Sequence, residues 1–328
     1  MEDLRNRLRT EGFSEESSSL LLESRRAGTK LAYAGPWKKW CGWCRERRIN
    51  PVQTTVGNIG NFLTSQAQRG LEYSTLNTYR SAISAYHQEI DGHAIGQHPR
   101  IKQLLKGAFN RKPPSPRYIT TWNVDTVLTT IRNLGTNETL SMKQLSQKLA
   151  MLIALVSTSR GSELTKLDPS TIDDLGDRIK CRVTGLTKVS NPKQPYKSLI
   201  LLAFDKDPLL DVVSCLRLYI DKTKPFRQNE KQIHQLFLAY NKPHHPVVTC
   251  SIARWLKCIM AASGIDTTVY KAHSTRAAST SKGVAQGLSV QQIMENANWV
   301  RASTFQKFYN KPILQSAHST FQKKVLTL

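Results

Sequence analysis

Long apolar runs are missing from this chain. The longest, 149–156 and 199–204, suit core elements and fall short of the ~18 residues a membrane-spanning helix needs. The first residues are charged, and no apolar segment of signal-peptide type follows them. Acidic side chains are also scarce. Asp and Glu number 24 against 47 Lys and Arg, which leaves a formal net charge of +23 and a pI near 9.9. An excess of that size does not fit a neutral metabolic enzyme. It fits a chain that binds nucleic acid or an anionic membrane. With no spanning segment, double-stranded DNA or another nucleic acid is the expected partner and no membrane is.

Cysteine is sparse. The six residues sit mostly in apolar patterns, which excludes a disulfide framework and suits a reducing compartment. Trp40-Cys41-Gly42-Trp43-Cys44 has the spacing of a thioredoxin redox motif. That motif requires a preceding strand, whereas Trp37, Trp40 and Cys44 follow a helical stripe, so a helix core is expected. With no second Cys pair or paired His nearby, no zinc site is expected at this segment.

What is present reads as a two-domain globular protein of 328 residues, 39% hydrophobic and 8% aromatic. Residues 1–25 are polar and mixed in charge, with short apolar pieces at Leu4, Leu8 and 20–22. Helical spacing then predicts helices over 29–47 (Leu31, Trp37, Trp40 and Cys44 inward), 55–69, 74–90 (capped by Ser74 or Thr75) and 100–110 (Ile101, Leu104, Leu105 and Phe109 inward). Residues 1–110 thus form an all-helical domain. The segment 111–118 is a basic linker with three prolines, which cannot continue a helix. Residues 119–328 form a mixed domain. Helices are expected at 123–134, 141–157, 159–167, 209–222 and 251–263, with β-like runs at 179–186 and 198–204 around a basic loop. The fold class is therefore mainly α with a small β-sheet (α+β). Helices at 273–285 and after Ser289 and Ser303 follow, then an amphipathic tail at 313–326.

His273 and Arg276 stand three apart, so one helix face carries a titratable proton carrier and a planar fork of donors suited to phosphate oxygens. Read with Arg160 at a helix junction, Lys188 in the basic loop, Trp299 and Tyr309, the order Arg, Lys, His-x-x-Arg, Trp, Tyr resembles the tyrosine recombinase (phage integrase) family. The stretch 273–309 is especially similar to phage Cre recombinase and to the recombinases of eukaryotic mobile elements. Tyr309 follows Trp299 by ten residues, one more than in Cre-like sequences, and Phe308 occupies the shorter spacing. One extra residue in the turn around Arg301 and Ala302 would repair the difference.

The resemblance implies a site-specific recombinase. Its domains would be a helical core-binding domain, a linker and a catalytic domain in a C-shaped clamp on DNA. Tyr309 would attack a phosphodiester to give a 3′-phosphotyrosyl bond and a free 5′-hydroxyl, with no ATP and no metal. Arg160 and Arg276 would hold the non-bridging oxygens, and His273 would assist proton transfer. Lys188, or Lys193 of the same loop, would protonate the leaving oxygen. Trp299 would donate a hydrogen bond, and Glu163 would orient a neighbour. Further DNA contacts are expected at Lys38, Arg80, Lys102, Lys106, Arg111, Lys112, Arg117 and Lys193. Recombination would need a homotetramer on paired sites, with the tail docking on a neighbouring protomer. A eukaryotic host would place the protein in the nucleus, and any other host in the cytoplasm with the DNA.

Two alternatives stand beside this reading. A type IB topoisomerase would use the same transesterification. A non-catalytic DNA-binding descendant would be expected to have lost one of Arg160, Lys188, His273, Arg276 or Tyr309, and all are in place.

Overall fold

The computed structural model describes residues 2–116, 118–297, 299 and 302–313. The chain divides into two compact units, Met1–Pro116 and Arg117–Leu328.

The first unit is helical: α1 (Glu2–Thr10), α2 (Glu15–Glu23), α3 (Ala27–Glu46), α4 (Val56–Gln68), α5 (Tyr73–Tyr86) and α6 (Pro99–Arg111). Local chemistry sets several of these ends. The Thr55 hydroxyl accepts from the Asn58 amide to start α4, and Gly70 takes φ +87° just past its end. The core gathers Trp40, Phe62, Leu76, Tyr79 and Ile83. Trp40 meets Phe62 edge-on with centroids 5.0 Å apart. The indole N–H of Trp40 donates to the Pro51 carbonyl at 2.8 Å, so burial leaves no polar atom of that side chain unsatisfied.

In α1 and α2, Leu4, Leu8 and Leu22 bury against Ala85 and Tyr86 of α5. Three expectations need correction here. Leu31 is 80% exposed, since the stripe of α3 runs through Tyr33, Trp37, Trp40 and Cys44. Phe109 is 40% exposed and meets Tyr73 edge-on. Helix α5 starts after Glu72, so Ser74 and Thr75 lie inside it; it ends where His87 becomes extended. The Cys-Gly-Trp-Cys segment lies within α3. Burial, with a contribution from Cys41, pushes the Cys44 thiol up to about 12, opposite to a redox cysteine.

The second unit is built on α8 (Met142–Ser157), whose buried residues run nearly all round the helix. It follows α7 (Val124–Asn133) and leads into the short α9 (Gly161–Leu164). A sheet of order β1-β2-β3 packs beside it: β1 (Leu167–Asp174), β2 (Arg178–Val183) and β3 (Lys197–Leu202), all antiparallel. Then come α10 (Val212–Thr223), α11 (Glu230–Ile233), α12 (Thr249–Ala262), a 3-10 turn Ala272–Ser274, α13 (Thr275–Ala285), α14 (Val290–Ala297) and α15 (Ala302–Phe308). Among the described residues no helix is long and apolar enough to cross a membrane.

Strand β1 escaped sequence reading. It carries Pro169 and three aspartates, residue types depleted in strands, and its pairing with β2 is interrupted between Asp168 and Asp173. Pairing with β2 makes it a strand, not its own propensity. The cap after Ser289 forms as expected: its amide donates to Gln292 and its hydroxyl accepts from the Gln292 amide. Ser303 does not cap a helix, because α15 already begins at Ala302. The tail from 314 onward, Arg117 and Arg301 lie outside the described residues. The mainly α fold with a small antiparallel sheet agrees with the sequence expectation.

Candidate active site

Thr158 closes α8 in the left-handed region, φ +49°, and turns the chain into Arg160. Arg160 is the extended residue before α9, so Glu163 lies one turn later on the same side. Its guanidinium donates through Nη1 to Glu163 Oε1 at 2.7 Å, and the residue borders a cleft. That cleft, of about 240 Å³, is lined by Ser159, Arg160, Thr249, His273, Thr275 and Arg276.

His273 lies in the 3-10 turn that opens α13 and Arg276 in the helix's first turn, which brings both to the cleft. The turn is held from behind: the Trp122 indole N–H donates to the Ser274 hydroxyl at 2.8 Å. Arg276 is 1% exposed, yet none of its three guanidinium nitrogens has a hydrogen-bond partner among the described residues. Its guanidinium carbon lies 5.0 Å from the Trp299 ring centre and 5.3 Å from that of Tyr309. Burial, then Arg160, push its pKa down to about 10, with Tyr309 and Glu163 pulling the other way; it remains a cation at neutral pH. A buried, unpaired guanidinium is costly unless an anion completes it. A phosphate supplies the oxygens that its planar fork fits.

Tyr309 follows α15 and turns into the same site. Its carbonyl accepts from the hydroxyls of Thr280 and Ser281 on α13, at 3.2 and 3.0 Å. Its hydroxyl lies 3.3 Å from His273 Nε2. Packing around the His273 ring, then the charges of Arg276, Arg160 and Lys188, hold its pKa below the usual value, while Glu163 opposes them. A neutral ring can accept a proton from the Tyr309 hydroxyl. Phe308 is 53% exposed. Trp299, 8% exposed, stacks on Tyr309, and its indole N–H is buried without a partner among the described residues.

The structure thus gathers Arg160, Glu163, His273, Arg276, Trp299 and Tyr309. Lys188 is exposed on the β2–β3 loop, close enough for its charge to act on His273. Lys193 is exposed further along that loop. Of the expected DNA contacts on the first unit, Lys38, Lys102, Lys106 and Arg111 are all exposed. Lys112 pairs with Glu72 at 2.6 Å. Arg80 is half-buried, with an unpaired Nε, beside Arg25 and Tyr33 in a cavity of about 310 Å³. Arg117 is outside the described residues.

One site residue was missed. Lys197 opens β3 with its side chain inward, in register with Leu199 and Leu201, and reaches Glu163 Oε2 at 2.7 Å. The signal was available, since a lysine two residues before an alternating Leu pair shares its inward face.

No family model and no curated protein matches this chain. Solved structures do. XerH site-specific recombinase bound to difH substrate in a pre-cleavage complex is 12% identical, with a TM-score of 0.59, covering 88% of this chain and 78% of that one. Its post-cleavage complex is 14% identical, with a TM-score of 0.54, covering 84% and 71%. The Tn1549 transposon integrase (aa 82–397) in complex with circular intermediate DNA is 12% identical, with a TM-score of 0.52, covering 82% and 86%. At these identities the likeness is one of fold: this chain has the α+β fold of the site-specific recombinases and integrases.

Proposed function

We propose that this chain is a tyrosine site-specific recombinase of a mobile element, which cuts and rejoins DNA strands without a cofactor. The observation that carries the reading is Arg276: a fully buried guanidinium with no partner among the described residues, beside a tyrosine whose hydroxyl meets a histidine.

In the proposed reaction Arg276 and Arg160 bind the non-bridging oxygens of one phosphodiester, where charge accumulates on attack. The Tyr309 oxygen bonds to phosphorus and its proton passes to His273 Nε2. The bond from phosphorus to the 5′-oxygen breaks, and Lys188 delivers a proton to that oxygen. The product is a 3′-phosphotyrosyl link and a free 5′-hydroxyl. Attack by a 5′-hydroxyl from a second duplex reverses the steps and joins the strands. The Trp299 N–H gives a further donor to the phosphate. The first unit, with Lys38, Arg80, Lys102 and Lys106, holds the flanking duplex through phosphates, so binding weakens steeply with salt. Four protomers on two sites, joined through the tail, complete the exchange.

The test is covalent trapping. Nicked duplexes carrying the ends of the proposed element are incubated with the protein, and the mixture is denatured. A protein–DNA adduct that disappears in Tyr309→Phe while DNA binding persists is the expected result. An adduct retained by that variant moves the nucleophile elsewhere. No adduct, with binding intact, points to a DNA-binding protein without catalysis.

A further inference from the structure

Lys197 is a buried cation that the proposed reaction does not use. Its side chain is 5% exposed, and its ammonium lies 2.7 Å from Glu163 Oε2 and 3.3 Å from the Ser159 hydroxyl. The other Glu163 oxygen accepts from Arg160 at 2.7 Å, and the glutamate side chain is itself 2% exposed. One carboxylate therefore stands between two cations, one facing the cleft and one behind it. Burial by itself would raise the Glu163 carboxyl, but Lys197 and Arg160 outweigh it and hold it below the usual range. Burial lowers Lys197, Glu163 opposes that, and Arg276 and Arg160 add to it, so the ammonium also sits below its usual value.

We infer that Lys197 is a positioning residue for the strand-cleavage site, acting through Glu163 to fix Arg160. The inference rests on the transesterification reading above. The argument is one of charge and geometry. Without Lys197, the buried carboxylate has only Arg160 to neutralise it. The guanidinium would be drawn onto both oxygens and its charge spent within the protein. With Lys197 in place, Arg160 is tethered through one nitrogen, and the remaining donors and net charge stay available to a phosphate. Strand β3 supplies the rigidity: Lys197 pairs with Val183 of β2, and Leu199 and Leu201 anchor the same face in the core. Lys188 is distinct from it. That lysine is exposed on a loop and free to reach a leaving oxygen, whereas Lys197 is locked behind the site.

The experiment is a double-mutant cycle on Lys197→Met and Glu163→Gln in the full chain, read as the rate of Tyr309-dependent adduct formation at saturating nicked DNA. Lys197→Met is expected to slow cleavage roughly 10- to 100-fold, the scale of a misplaced reacting group, with DNA affinity little changed. The double variant is expected to cleave faster than Lys197→Met, because a neutral amide in place of the Glu163 carboxylate still accepts from Arg160 without demanding its charge. Thermal unfolding without DNA reads the same coupling apart from activity. In Lys197→Met the carboxylate is buried against one cation, so its pKa rises and its stability deficit shrinks as pH falls. Adding Glu163→Gln removes that pH dependence. Additive effects in the cycle, or a Lys197→Met variant that cleaves at the parental rate, overturn the inference. If Lys197→Met does not fold, the double variant is compared with Glu163→Gln alone, and a double variant that cleaves far more slowly than Glu163→Gln overturns the positioning role. Absence of any Tyr309-dependent adduct from the parent protein is a different failure, that of the cleavage reading itself.

Discussion

Trp299 stacks on Tyr309, with ring centres 4.3 Å apart and planes 24° from parallel. Arg276 lies against both rings, so three side chains from separate elements share one face of the site. The tyrosine is thus oriented by packing from one side and by His273 from the other.

Removing the stack should loosen the tyrosine. An aromatic pair contributes ~0.5–1.5 kcal/mol beyond its buried area, or roughly 2- to 10-fold in an equilibrium. Trp299→Ala is expected to lower the adduct rate by at least that factor. Trp299→Phe, which keeps the ring and loses the N–H, should retain more activity. Equal losses in the two would assign the role to the N–H rather than to the stack.

Arg276 makes a prediction with two opposite signs. Losing a donor placed for developing oxyanion charge costs roughly 10²- to 10³-fold in rate. Arg276→Met should therefore cleave that much more slowly. The same change removes an unpaired buried charge, so the unliganded variant should unfold at a temperature no lower than the parent. Inorganic sulfate should raise the unfolding temperature of the parent more than that of the variant, which keeps Arg160 and the general effect of the salt. A variant that melts early and responds to sulfate as much as the parent would refute this account.

The His273 imidazole titrates below its usual value. As the acceptor of the Tyr309 proton it works in the neutral form, so cleavage should be flat near neutral pH and fall only in acid, below the ordinary histidine range of about 6.5. The stability effect has the same direction. The unfolded chain takes up the proton first, so the contribution of His273 is complete above about 6.5 and declines as pH drops toward its lower folded value. His273→Gln should slow cleavage at all pH values and abolish the acid limb. Measuring adduct formation across the acid-to-neutral range decides it.

The first unit rests on Trp40, fully buried and hydrogen-bonded to the Pro51 carbonyl. Trp40→Ala creates a large cavity and leaves that carbonyl without its donor. A loss of about 3–5 kcal/mol is expected, measured by denaturant unfolding. Leu31→Ala, at an 80% exposed position, should change stability by less than about 0.5 kcal/mol.

Much of the helical framework was legible because helices advertise themselves locally. Apolar spacing marked the inner faces of α4 and α5, and the cap at Ser289 could be read from its Gln partner. His273 and Arg276 could be placed on one face by counting. What escaped depends on partners distant in sequence. Helices α1 and α2 exist because three leucines find Ala85 and Tyr86, and β1 exists because β2 pairs with it. Leu31 and Phe109 looked like core by spacing, but helical spacing does not say which side of a helix its neighbours will cover.

The sequence by itself determined the types of residue available for phosphate chemistry, their order along the chain, the strong positive charge and the α+β class. These follow from local propensity, period and composition, which need no knowledge of the folded neighbours. Tertiary structure alone decided that Tyr309 and not Phe308 meets His273, that Arg276 is buried without a partner, and that Lys197 stands behind Glu163. Those facts are distances and burials between groups far apart in the chain. They arise only when segments far apart in the chain pack together and exclude water.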